Sequence, residues 1–133
     1  MSENLEEVGV LDLLLKPELP DVRKVLPEKS FKVDRLSELA GRDVIFRLRG
    51  LSYKQVRKTQ EKPMAERSLD IVLEGCVEPN FHDKRLLCPE RNIATPLDAI
   101  SARLTPGEID ELSVEIQKLS GYLHKTLSEI KNG

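Results

Sequence analysis

With 133 residues, 39% of them apolar, 4% aromatic and none Trp, the chain has material for one modest core built from Leu, Ile and Val. Its 21 Lys plus Arg stand against 23 Asp plus Glu, a net charge of −2 that offers no basic excess to neutralise a nucleic-acid backbone. No apolar run reaches the roughly 20 residues of a membrane span, and Met1-Ser-Glu-Asn-Leu-Glu-Glu is acidic where a signal peptide is basic, so the expected location is the cytoplasm.

The first ten residues are polar and acidic and read as mobile. Val10 to Leu15 has the makings of a short helix, but Pro17, Pro20 and Pro27 prevent a longer one. Residues 1–28 are therefore read as an arm that docks on its own domain or on a neighbouring copy, and residues 29–133 as a single domain. Phe31 to Arg35 and Val44 to Arg49 alternate apolar with polar residues, predicting an antiparallel strand pair. Gly41 supplies a left-handed turn between them, and Phe31, Val33, Val44, Phe46 and Leu48 face the core. Two strands alone are marginal, so helices must cover them.

Ser52-Tyr53-Lys54-Gln55 has the form of a capping box, opening a helix that Pro63 stops near Lys62. A second helix begins after Pro63, with Ala65, Leu69, Val72, Leu73 and Cys76 on one face. Residues 77–94 read as a structured loop with one turn around Lys84 to Leu87. Thr95-Pro96 starts a short helix that buries Ile100 and Leu104. Thr105-Pro106-Gly107-Glu108 combines a cap, a first-position proline and a third-position carboxylate. From there Ile109, Leu112, Ile116, Leu119, Leu123, Leu127 and Ile130 trace one helical stripe, bent or broken near Gly121. The expected fold class is α+β, a small antiparallel strand pair packed against about five helices, with the C-terminal two-thirds predominantly helical.

Three clusters invite a chemical reading. Cys76, His82 and Cys88, with His124 as a distant fourth, lack the close ligand pairs that aim two donors at one ion, so no metal, cofactor or disulfide is assigned. Glu108, Asp110, Glu111 and Glu115 meet the positive end of a helix dipole without any need for catalysis. Arg42, Arg47, Arg49, Lys54, Arg57 and Lys58 form a basic cluster interleaved by Tyr53 alone, which lacks the stacking platform of a single-strand binder; it reads as a solvated face, and if it binds anything an acidic protein segment suits it better than a nucleic acid. No nucleophile elbow or phosphate-cradling loop is present, and an enzyme is not expected.

The strand pair, Leu51-Ser52-Tyr53, Leu73-Glu74-Gly75 leading to Glu78-Pro79-Asn80, Leu86-Leu87, Thr95-Pro96, Leu104 to Ile109 and Leu119-Ser120-Gly121-Tyr122 stand in an order that resembles the XkdN-like phage tail assembly chaperones. The similarity runs from about residue 30 to residue 125. What the resemblance implies is a small, non-catalytic cytoplasmic protein that binds the tape measure protein, helps recruit tail tube protein, and is absent from the mature virion. A minor structural connector of the tail is the alternative. The candidate client or self-association positions are Leu11, Leu14, Leu15, Tyr122, Leu123, Leu127 and Ile130, because apolar side chains near both ends are the ones that project beyond the domain body.

Overall fold

The computed structural model describes residues 9–131, so the expected mobility of positions 1–8 lies outside the described residues. Among those residues the chain forms a three-stranded antiparallel sheet and six α-helices, an α+β architecture. The elements in order are α1 (Val10–Leu14), β1 (Glu28–Lys32), α2 (Asp34–Ala40), β2 (Ile45–Arg49), α3 (Tyr53–Gln60), α4 (Arg67–Gly75), β3 (Cys76–Glu78), α5 (Pro96–Ser101) and α6 (Pro106–Leu119). The sheet order is β1-β2-β3, with Phe31 opposite Phe46 and Lys29 opposite Leu48.

The strand pair forms as its alternation predicts, but β1 lies earlier than expected. Asp34 and Arg35 open α2 instead of ending the strand. Ser37 explains the switch: its hydroxyl donates to the Val33 carbonyl and accepts from the Val44 N–H, both at 2.8 Å, folding the chain back one turn after the strand. Asp34 also meets the positive end of the helix. Glu28, Lys29 and Ser30 are exposed and polar, so no periodicity marked them as strand. Gly41 takes the left-handed turn expected of it, with φ 70°.

The third strand, absent from the sequence reading, runs straight out of α4. Cys76 continues the apolar stripe of that helix, yet its backbone is extended and pairs with Leu48 of β2. Three residues are too few for strand periodicity to show. Ala65, expected on the buried face, is exposed in a 3-10 turn at Met64–Glu66. The loop after β3 contributes Phe81, whose ring meets Phe46 edge-on at 6.0 Å between centroids and is buried. A 3-10 turn falls at Lys84–Leu86, as expected, and a second, which was not expected, follows at Pro89–Arg91.

Three helices begin as their sequences specify. Ser52, Thr95 and Thr105 each accept from the backbone N–H three residues on, and Gln55, Asp98 and Glu108 reach back to complete the capping boxes. Glu108 has a second role. Arg35 donates to both of its carboxylate oxygens, at 3.0 and 2.9 Å, and to the Arg103 carbonyl at 2.8 Å, tying α2 to the start of α6. Such two-pronged pairing is among the stronger ionic geometries.

The core lies where α4, α5 and α6 cover one face of the sheet. Leu48, Val72, Ile100 and Ile116 are its fully buried side chains, joined by Ile109 and Leu112. Two glycines allow close approaches: Gly50 sits against the Leu119 carbonyl, and Gly75 against Ile116. A Cβ on Gly75 would sit 2.6 Å from the Ile116 side chain, so only hydrogen fits there. A buried polar pair, Thr59 donating to Asp70 at 2.6 Å, locks α3 onto α4.

Gly75→Val is expected to lower folding stability by about 2 to 3 kcal/mol through overpacking, and Ile116→Ala in the same chain to recover part of that loss; urea unfolding of both single variants and the double variant measures the coupling. A second expectation concerns pH. The hydrogen-bonded Arg35 guanidinium holds the Glu108 carboxyl below its ordinary value of 4.5. The pair therefore stabilises the fold above that value and fades as pH falls through the lowered one. Glu108→Gln should be less stable than the parent at neutral pH, and the gap should narrow as urea midpoints are followed to pH values progressively below 4.5.

Candidate protein-interaction surface

The last helix ends sooner than its apolar stripe suggests. Gly121 adopts φ 98°, the Tyr122 N–H donates to the Gln117 carbonyl at 2.9 Å, and the Gly121 N–H donates to the Lys118 carbonyl at 3.1 Å. This pair of bonds is the Schellman closure of a helix, which a left-handed glycine makes possible. Ser120 fastens the same point to the sheet side of the domain: its hydroxyl donates to the Ile116 carbonyl at 2.7 Å and accepts from the Leu51 N–H at 2.8 Å. The Leu-Ser-Gly-Tyr element is thus a stop and an anchor.

The stripe splits at that stop. Ile109, Leu112 and Ile116 are buried and Leu119 packs on the core, as expected. Leu123, Leu127 and Ile130 are not on a helix at all; residues 122–131 run without regular structure, and these three side chains are 61%, 86% and 80% exposed. The break expected near Gly121 is present, but the expectation that the stripe continues on a helix beyond it is corrected. Periodicity alone could not see that the left-handed backbone at Gly121 ends helix altogether.

At the other end, Leu11, Leu14 and Leu15 are exposed, with Val10 and Leu13 beside them, and α1 buries none of its residues. Leu19, Val22 and Val25 extend the apolar exposure through the proline-rich stretch. No hydrogen bond joins this segment to residues 122–131 among the described residues.

Sequence reasoning missed a cavity at the root of the tail. A hollow of about 250 Å³ opens between α3, α4 and the end of α6, lined by Leu51, Val56, Ile71, Gln117 and Tyr122. Tyr122, half exposed, forms its rim. Val56 and Ile71 are partly buried against the core, and the approach of the Schellman turn makes a hollow of the space beside them.

The remaining clusters divide. Burial pushes the Cys76 thiol up to about 12, which leaves it protonated and unreactive at neutral pH. Cys88 is a free thiol 3.3 Å from Glu90, and His82 lies 3.3 Å from Glu74. Among the described residues no three His, Cys, Asp or Glu side chains converge as metal ligands would. Of the basic cluster, Arg47 faces Glu28 at 3.6 Å and Arg57 lies on the Tyr53 ring, while Lys54 and Lys58 are exposed. Among the same residues no helix is long and apolar enough to cross a membrane.

The sequence pattern described as Phage XkdN-like tail assembly chaperone protein matches residues 11–132. The chain belongs to that family. The match takes in α1 and the tail as well as the domain body, so this tail assembly chaperone is recognisable over both exposed ends. A solved crystal structure described as the protein yqbn is 17% identical, with a TM-score of 0.56 over 74% of this chain and 89% of that one, and so shares the fold. No curated protein matches the chain.

Replacing Leu127 and Ile130 of the chaperone together by Ser is expected to leave the urea midpoint unchanged within about 0.5 kcal/mol, because exposed side chains contribute little to the fold.

Proposed function

We propose that this tail assembly chaperone is non-catalytic and works in the host cytoplasm, covering apolar segments of the tape measure protein, assisting recruitment of the tail tube protein, and leaving before the particle matures. The observation that supports the reading is the division of the chain: a closed core, with exposed apolar side chains on residues 10–15 and 122–131. In this reading residues 1–28 are a docking arm and residues 29–133 the chaperone domain. Leu11 and Leu14 of α1 and Leu15 at its end contact the client on one side, and Tyr122, Leu123, Leu127 and Ile130 contact it from the tail. A client side chain enters the hollow under Tyr122.

Magnitudes explain why both ends are needed. Burying a Leu or Ile fully stabilises a complex by about 1.5 to 3 kcal/mol, while fixing each residue of a backbone costs about 1 to 2 kcal/mol. Three apolar side chains cannot offset the ordering of ten tail residues. The leucines of α1 already sit on formed helix, so their burial adds stabilisation at little ordering cost. The sum is a modest affinity, suited to a protein that must let go.

The direct test is co-expression with the tape measure protein. The parent chain should keep that protein soluble and co-purify with it, and a variant with Leu11, Leu14, Leu127 and Ile130 all changed to Ser should fold normally yet fail at both. Equal solubility of the tape measure protein with and without the chaperone, and no complex recovered, contradicts the reading.

A further inference from the structure

The arm and the tail are fixed to the body at neighbouring amides. The Gly50 N–H donates to the Pro27 carbonyl at 3.0 Å, and the Leu51 N–H donates to the Ser120 hydroxyl at 2.8 Å. The first bond sets the root of the arm and the second the root of the tail. The buried side chain of Leu51 lines the hollow beneath Tyr122, so the arm joins the body next to that hollow.

The hollow suits an apolar visitor. Leu51, Val56, Ile71 and Tyr122 give it apolar walls, and its volume is about 250 Å³. An apolar cavity of about 150 Å³ already admits benzene, so a leucine side chain fits. Arg67 is the one charged residue of the lining, which includes no carboxylate. Its guanidinium donates to the Lys62 and Gln60 carbonyls at 3.1 and 2.9 Å and is in no ion pair among the described residues. The groove between β1 and α6 also has apolar lining, but there Asp34, Glu108, Glu111 and Glu115 outnumber Lys32 and Arg35, which disfavours an acidic helix.

The helix of the arm has the matching chemistry. A helix as short as α1 draws its stability from packing, yet none of its residues is buried. Leu11, Leu14 and Leu15, at i, i+3 and i+4, share one side. Asp12 is the charged residue of the helix and is in no ion pair among the described residues, and Lys16 lies past the helix end. Residues 15–27 tether α1 to the anchored Pro27. Fully extended, such a stretch reaches about 40 Å, against a radius of gyration of about 13 Å for a body of this size. Turns at residues 16–19 and 21–25 shorten the tether, and half of that reach still exceeds the radius.

We infer that α1 is a strap that closes over the hollow of its own chain, Leu11 or Leu14 entering beside Val56 and Ile71 and Asp12 meeting Arg67. In the structure the strap is open, since no residue of α1 lines the hollow. The anchor at Pro27 keeps α1 at a high effective concentration there, so a contact too weak to hold separate molecules together forms within one. Closure shields apolar side chains of both parts in the free chain. A segment that enters the hollow displaces the strap and frees its leucines at the same moment. The inference concerns the free chain and stands or falls apart from the client-binding reading.

Methyl NMR on the full chain tests it. The parent should show nuclear Overhauser contacts between Leu11 or Leu14 and Val56 or Ile71, equally strong at low and high protein concentration. Leu11→Ser with Leu14→Ser should shift the Val56 and Ile71 methyl signals, while that of Ile100, buried on α5, stays in place and shows the fold intact. Asp12→Asn, which keeps an acceptor for the Gly9 N–H, should weaken the contacts. Absence of these contacts from the parent overturns the inference, as do contacts equally strong in Asp12→Asn, or Val56 and Ile71 signals unmoved by the leucine changes. Contacts that grow with concentration place a second copy's helix in the hollow, and signals that answer instead to Leu127→Ser with Ile130→Ser place the tail there; either result overturns it too.

Discussion

The close approach of α4 and α6, where Gly75 leaves room for the side chain of Ile116, is the constraint on which the rest of the molecule depends. Ile116 is fully buried there, and its neighbours Ile109 and Leu112 extend the same face across the sheet. With α6 held in that slot, its two ends are fixed separately. Arg35 grips Glu108 at the start, and Ser120 ties the finish to Leu51. The chain thus leaves the domain at a determined point, and residues 122–131 belong to the surface.

This geometry divides one continuous sequence pattern between core and surface. Up to Leu119 the apolar stripe holds the body together. Past the Schellman turn the same residue types stand in solvent. The proposed function needs such a division, because side chains offered to a client cannot also be needed for the chaperone's own stability. The glycine at 121 makes the division, since a left-handed backbone stops the helix whatever the apolar spacing beyond it.

Much of the fold was legible in local signals. Capping boxes at Ser52, Thr95 and Thr105 place three helix starts, and alternation from Val44 to Arg49 places the central strand, because each rests on neighbours in sequence. Features set by distant partners were hidden. The extended backbone of Cys76 depends on pairing with Leu48, the early end of β1 depends on the two hydrogen bonds of Ser37, and the burial of Phe81 depends on Phe46. The hollow beneath Tyr122 needs three helices at once, so no segment announces it. Exposure of the terminal leucines and isoleucine was inferred from their position near the ends, and for the tail it arises on irregular chain instead of the second helical segment that the spacing suggested beyond Gly121.

Hydrogen exchange on the isolated chain measures directly the division between a closed body and open apolar ends. Amides of Val72, Leu73, Leu112 and Ile116 should exchange slowly, close to the rate of global unfolding, while those of residues 123–131 should exchange about as fast as in an unstructured peptide. Slow exchange throughout residues 123–131 in the free chain would mean that Leu127 and Ile130 are already covered, and would contradict a tail held open for a client.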